Sequence, residues 1–364
     1  MAKGLLRFLK PLILPLSALL ILVVFDFIWF NLVNHVNFFS VVMRTNNDGN
    51  KVLAGNIIDI LNGASELAII AIGMTLVTAS SRGQDISVGA VAAIAGSVFV
   101  SVLGHQITVP TILVAFLSAC GAALICGAFN GTLVAIFKIQ PMIATLILFS
   151  AGRPIAYWIN GGRTPTVDSP LLDYVGKVIP GIPIPTPIII VILFVVLVSF
   201  VLRFTNLRLY TQAVGINEKS ARLNGINAVW IKFSAFMILG VCAAIAGSIN
   251  VCKIGVINYE SIVLDIEMYA ILAVAIGGNV LGGGKFSLTG SVIGAYVIQT
   301  LTTTLYAVKV PPTALKACMA VVIIIIVLLG SPIVKDYALQ LRDKLFKPSM
   351  FKQLEKSTKA TENQ

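Results

Sequence analysis

Several ionisable and amide side chains in this sequence stand where almost every neighbour is apolar. Glu66 and Glu267 each interrupt a long hydrophobic run, and Asp26 lies between Phe25 and Phe27. Asn62, Thr75, Asn130, Thr145, Tyr269 and Gln299 occupy similar settings. A charge in hydrocarbon is costly, so such a residue marks a solute or ion path by default, or else is held by a partner. The set offers hydrogen bonds to a polar solute moving through the protein. The carboxylates could alternatively serve a coupling ion. Glu66 and Glu267 rank first, and Asp26 ranks lower because it falls on the first and most peripheral run. Covalent catalysis finds little here. The histidines, His35 and His105, fall near chain reversals, and no zinc or triad constellation is present. The glycines Gly282 to Gly284 are followed by Lys285 and Phe286, which is not the spacing of a phosphate-cradling loop. The chain is therefore expected to bind neither ATP nor a metal.

Long apolar runs must position these residues. Hydrophobic residues make up 57% of the 364, charged residues 11%, and mean hydropathy is +0.96. Soluble domains carry roughly 25% charged residues. About 20 apolar residues cross a bilayer as helix. The runs 11–33, 57–79, 86–104, 109–136, 142–159, 184–204, 229–251, 262–281, 288–308 and 313–334 predict an all-α bundle of about ten transmembrane helices. Several carry Gly-rich or polar interruptions and are expected to be broken or tilted. The first run is longer than the apolar region of a cleaved leader and is read as a retained span. The five cysteines, Cys120, Cys126, Cys242, Cys252 and Cys318, mostly lie inside these runs and read as packing residues.

The net charge of +11 sits in particular loops and the tail, a pattern that orients membrane spans rather than binding nucleic acid. With the N-terminus inside, 18 of the 26 Lys and Arg residues fall on the inner side. Both termini are then cytoplasmic. Residues 1–335 form one membrane domain, and 336–364 a cytoplasmic tail. A shift of 201 positions pairs Glu66 with Glu267, Gly83 with Gly284 and Gly89 with Gly290, a faint sign of repeated halves.

Two interruptions carry mechanism. The inner segment 206–228 is the longest polar insert between spans on that side. It reads as a short helix beginning near Asn217 and ending at Gly225. Lying along the membrane, it could enter a groove on a soluble partner, or simply connect two spans. In Gln84-Asp-Ile-Ser-Val-Gly89, Asp85 and Ser87 are expected to cap the following helix, and Gly89 to allow a close helix approach.

Ala213-Val-Gly-x-Asn-Glu-Lys-Ser-Ala-Arg-x-x-Gly-Ile resembles the cytoplasmic coupling motif of the monosaccharide ABC-transporter permeases of ribose, xylose and galactofuranose type. Ile72-Gly-Met-Thr-Leu-Val with the Asp85 segment is similar to that family's signature, which usually reads Gly-Gly-Ile-Asp-Leu-Ser-Val-Gly. Asn130-Gly-x-Leu-Val-Ala with Gln140-Pro-Met-Ile-Ala-Thr-Leu, and Ala270-Ile-Leu-Ala-Val-Ala-Ile-Gly-Gly with Gly282-Gly-Gly and Gly290, resemble two further family blocks. Pro311-Pro312 and the late block are most similar to galactofuranose-type members. The chain departs from the pattern at Arg82, where the signature's first Gly is usual, at Gln84, and at Tyr269, where an acid is common.

The resemblance implies the permease subunit of an ATP-driven importer in a bacterial inner membrane. An extracytoplasmic binding protein would deliver a monosaccharide. ATP and Mg²⁺ would be held by a separate ATP-binding subunit, and a second permease subunit, identical or related, would complete the pathway. Gly215, Asn217, Glu218, Ala221, Arg222 and Gly225 would dock on the ATPase. Gly83, Asp85, Ser87 and Gly89 would belong to the gate. Sugar would pass Asn62, Glu66, Asn130, Thr145, Glu267, Tyr269 and Gln299. An ion-coupled secondary transporter, a membrane-embedded transferase and a non-transporting scaffold stand as other readings.

Overall fold

The computed structural model describes residues 12–45, 50–104 and 107–330. The expected boundary between membrane domain and tail lies outside these residues. The described chain is almost wholly helical. In order come α1 (Ile13–Asp26, continuing as a π-helical turn Phe27–Val33), α2 (Asn56–Ser81), α3 (Val88–Leu103), α4 (Val109–Ala135), α5 (Pro141–Ile159), α6 (Pro170–Gly176) and α7 (Thr186–Phe204). Then follow α8 (Leu207–Ile216), α9 (Glu218–Leu223), α10 (Ala228–Ile254), α11 (Ile266–Ile276), α12 (Leu288–Ala307) and α13 (Pro312–Gly330). The chain divides into Met1–Pro311 and Pro312–Gln364, with α13 the described part of the second unit.

Ten of these helices fall on the ten apolar runs, but they are not ten equal spans. Six are long and apolar enough to cross a membrane: α1 with its π turn, α2, α4, α5, α7 and α10. α3 has 16 residues and α11 only 11, which at 1.5 Å per residue gives about 24 and 16 Å against a hydrocarbon core of about 30 Å. Both start after a stretch of irregular backbone, 82–87 before α3 and 255–265 before α11. Irregular backbone at membrane depth survives only against protein or water.

Local sequence explains the helix ends. Thr108 and Thr111 form a reciprocal capping box at α4, with Pro110 in the first turn. Asn227 caps α10 by accepting the Trp230 amide at 3.0 Å, and Gly255, at φ +75°, ends that helix in the left-handed region. An antiparallel strand pair was not expected: Val42–Thr45 and Lys51–Ala54, with Met43 opposite Leu53. Two short runs were too brief to stand out beside 20-residue spans.

The buried centre is α10, flanked by α2, α3 and α4. Lipid tails are as apolar as leucine, so membrane helices associate through close backbone packing. Ala123, Gly127 and Gly131 place small residues on α4 against Gly240, Phe236 and Phe233 of α10. A β-carbon at Gly240 would collide with the Ala123 carbonyl oxygen. By contrast α7 exposes Ile192, Leu193, Val196, Leu197 and Phe200, as a helix facing lipid does. Gly240→Leu should therefore destabilise the detergent-solubilised protein by about 1–3 kcal/mol, the usual cost of overpacking. An unshifted thermal midpoint would remove this contact from the core.

Candidate functional site

Between α2 and α3 the chain leaves the helix for six residues, from exposed Arg82 into the interior. Gly83, Gln84, Asp85 and Ser87 are buried. The Asp85 carboxylate accepts the Ser87 amide and the Ser87 hydroxyl, both at 2.7 Å. The Asn130 amide of α4 donates to Asp85 Oδ2 at 3.3 Å and to Ser87 Oγ at 2.9 Å. The Thr145 hydroxyl of α5 accepts the Ile86 amide at 3.2 Å. Ser87 stands at the N-cap of α3, yet its side chain makes no cap bond, because its hydroxyl is turned back to Asp85. Asp85 therefore closes a local turn instead of capping the helix. Four of the sequence-selected residues, Asp85, Ser87, Asn130 and Thr145, meet here as one polar brace. Pro141 packs where a β-carbon on Gly83 would lie.

This turn is tied to the polar insert. Arg82 ends α2 in the left-handed region at φ +59°, which costs a non-glycine residue roughly 1–2 kcal/mol. That conformation accounts for the usual glycine at this position of the signature. Here the guanidinium instead donates from Nε to the Gly215 carbonyl at 2.6 Å and from Nη2 to the Ile216 carbonyl. These are the last carbonyls of α8, where a cation is favoured. Gln84 donates to the Leu281 carbonyl at 2.9 Å, and the Gly284 amide donates to the Ala79 carbonyl at 3.1 Å. Gly215 lies so close to the Ala79 carbonyl and the Gly284 amide that a β-carbon has no room. The ends of α2 and α8 and the 281–284 loop thus share one joint. Both residues at which the turn departs from the family pattern bond across it.

The polar insert folds as two helices, not one. Asn217 caps α9 by accepting the Ser220 amide at 3.1 Å. Gly225 follows α9 at φ +77°. Ala221 is buried with Val214, Ala228 and Ile231. Glu218 is paired with Arg222 of the same helix and with Lys232 of α10, each at 2.5 Å. The Lys232 hydrogen bond, aided by the charges of Lys232 and Arg222, holds the Glu218 carboxyl below the ordinary glutamate value against the opposing effect of burial. The segment is consequently an internally braced block.

The remaining carboxylates are held separately. Glu66 accepts the Asn250 amide at 3.1 Å and lies 3.8 Å from Lys253, both on α10. Glu267 occupies the space beside Gly89 that a side chain there would fill, next to Arg153 of α5. Arg153 donates to the carbonyls of Tyr259, Glu260 and Ile262 at 2.7, 3.1 and 3.3 Å. Asp26 accepts from Thr304 at 2.8 Å, linking α1 to α12. Thr75 bonds the Ser291 hydroxyl at 2.6 Å. Gln299 packs against α2 at Gly63, and half-buried Tyr269 lies on α11. Asn62 lines a cavity of about 360 Å³ with Arg44, Asp59, Lys177 and Lys253, at the end of α2 remote from Arg82. Glu66 and Glu267 do not share a site. Arg153, Asn250, Lys253 and Thr304 were not foreseen, though Arg153 is a visible cation inside an apolar run.

The family model described as "Branched-chain amino acid transport system / permease component" matches residues 56–328. The galactofuranose transporter permease protein YtfT of Escherichia coli K12 is 41% identical over 297 residues, 81% of this chain and 84% of that protein. The fructose import permease protein FruF of Bifidobacterium longum is 36% identical over 313 residues, 85% of each chain. The ribose import permease protein RbsC of Escherichia coli K12 is 34% identical over 279 residues, 76% of this chain and 85% of that protein. No solved structure matches.

The Glu218 brace has a definite pH signature. Because its carboxyl lies below the unfolded-state value, its stabilisation is complete above that value, about 4.3. It is lost as pH falls through the lower folded value. Amides of 217–226 should keep their hydrogen-exchange protection from neutral pH down to about pH 5 and lose it only in stronger acid, after correction for intrinsic exchange. Glu218→Gln should reduce the protection at neutral pH. Equal protection in that variant would show that the ion pairs do not hold the block.

Proposed function

The chain belongs to this family of transport-system permease components, and from that membership we propose how it acts as the membrane subunit of an ATP-driven sugar importer. Permeases of this kind are transport components, not enzymes, and operate with an ATP-binding subunit and a substrate-binding protein. The proposed cargo is a monosaccharide, with galactofuranose the first candidate and fructose and ribose next. Those are the sugars for which the relatives are named. The binding protein delivers sugar outside a bacterial inner membrane. A second permease subunit completes the pathway, and ATP and Mg²⁺ reside on the partner.

The observation that carries the mechanism is the Arg82 joint. In this reading the ATPase grips the 206–228 segment around Glu218 and Arg222, and nucleotide state moves it. Arg82 and Gly215 pass the displacement to the end of α2. The 82–87 turn follows, carrying Asp85 and its contacts to α4 and α5. Two alternative packings of this turn, biased by the partner, would alternate access to the two faces. Membership of a transport-system permease family, with sugar-import permeases as relatives, favours this scheme over an ion-coupled carrier acting alone.

Proteoliposomes holding the complete complex test it. Arg82→Gly relieves the left-handed strain but removes both carbonyl bonds. ATP hydrolysis should persist while uptake per ATP falls about tenfold or more, the equivalent of one charge-assisted bond. Uptake that stays fully coupled would overturn the route. Glu218→Ala with Arg222→Ala should weaken sugar-dependent ATPase activity or subunit assembly, with normal membrane insertion. Comparing uptake of radiolabelled galactofuranose, fructose and ribose assigns the sugar, and uptake driven by an ion gradient without the ATPase would refute the class of mechanism.

A further inference from the structure

A second cavity, of about 370 Å³, lies beside the Arg82 joint among the end of α7, the start of α8 and the start of α12. Three cations line it: Arg203, Arg208 and Lys285. All three are exposed. Among the described residues none of them is in an ion pair. Arg208 stands with its guanidinium 6.0 Å from the centre of the Phe286 ring. The shortage of acids is built into the sequence. No Asp or Glu occurs in residues 1–25, 174–217 or 268–335, the stretches that contain every lining residue. A cluster of like charges without counter-charge is self-repelling. It is stabilised when an anion occupies the space between the charges.

The rest of the lining narrows the ligand. Leu12 and Leu202 stand on the wall, and Arg203 follows directly on the lipid-facing side of α7, where Val196, Leu197 and Phe200 are exposed. The cavity thus joins a cationic interior to an apolar outer surface. On the charge-based orientation it lies at the cytoplasmic leaflet, where basic pockets between transmembrane helices take anionic headgroups.

We propose that this cavity binds a phosphate-bearing anion, and that its occupant is the headgroup of an anionic phospholipid with acyl chains along α7. A bound phosphate would draw together Arg208 of α8, Arg203 of α7 and Lys285 beside the 281–284 loop. Two of these elements also meet at the joint, so the occupant braces the segment on which the proposed coupling depends. The site itself rests only on the cavity, its charges and its apolar border, and not on the coupling reading.

Native mass spectrometry and thermal unfolding of the purified full-length chain test it. The protein is held in nanodiscs of phosphatidylcholine with or without phosphatidylglycerol, or in detergent with inorganic phosphate. Phosphatidylglycerol should be retained in preference to phosphatidylcholine and should raise the unfolding midpoint. Removing each cation, in Arg203→Gln, Arg208→Gln and Lys285→Gln, should weaken retention about fivefold. Lys138→Gln, which removes an inner-side cation away from the cavity, should not. If a glutamine variant folds poorly, the charge-keeping Arg203→Lys and Arg208→Lys should restore retention relative to the glutamines. A midpoint raised equally by millimolar phosphate without lipid would support the anion site but reject the lipid as its occupant. Retention that is the same in wild type and in each single glutamine variant would overturn the proposal.

Discussion

Backbone that leaves the helix inside a membrane bundle must find its hydrogen bonds within the protein. Much of the interior of this permease follows from that constraint. The amides of Ile86 and Ser87 reach Thr145 and Asp85. In the later half the Ser287 amide reaches the Asn279 side chain at 2.6 Å, and the Gly284 amide reaches the Ala79 carbonyl. Side chains that look like a solute path in an apolar sequence are thus partly occupied in repairing broken helices. Thr145 is the clearest case, and Asn130 steadies the Asp85 and Ser87 side chains beside it. In the proposed mechanism the breaks are where the bundle changes shape, because an interruption releases the segments on either side from one continuous ladder of hydrogen bonds.

The helical membrane fold was legible from the sequence because hydrophobic runs are a strong and local signal. The ten runs correspond to ten helices in order. Span length was less legible: α11 ends up much shorter than its run because Asp265 adopts a left-handed backbone just before it and Gly278, at φ +78°, follows its end. At the 201-residue shift, α2, a break and α3 stand in the same order as α11, a break and α12, though α2 has 26 residues and α11 only 11. Thr75 and Ser291 join the two halves directly. The break at Asp85 and the Asn217–Gly225 helix were readable from their own short motifs, although Asp85 closes a turn where a helix cap was expected. Their joining was not, because Arg82 and Gly215 are separated by 133 positions and no local pattern encodes that distance. The partners of Glu66 on α10 were hidden for the same reason.

Arg82 shows how a departure from a family pattern can be compensated. Glycine would adopt the left-handed conformation without strain but would offer nothing to α8. Arginine bears the strain and gains two carbonyl acceptors at a helix terminus, where its charge is also favoured. Gln84, the neighbouring departure, bonds the 281–284 loop. The two substitutions act on one junction from adjacent positions, so they are best understood as a pair.

The bare contact between Gly215 and the Ala79 carbonyl has a mechanical consequence. Side chains between two moving elements behave as springs, because their rotamers can yield before the backbone does. Here no side chain intervenes. The compliance of the junction is that of peptide planes in direct apposition, which is small. A shift of a fraction of an ångström on one side cannot be absorbed locally and has to reappear on the other.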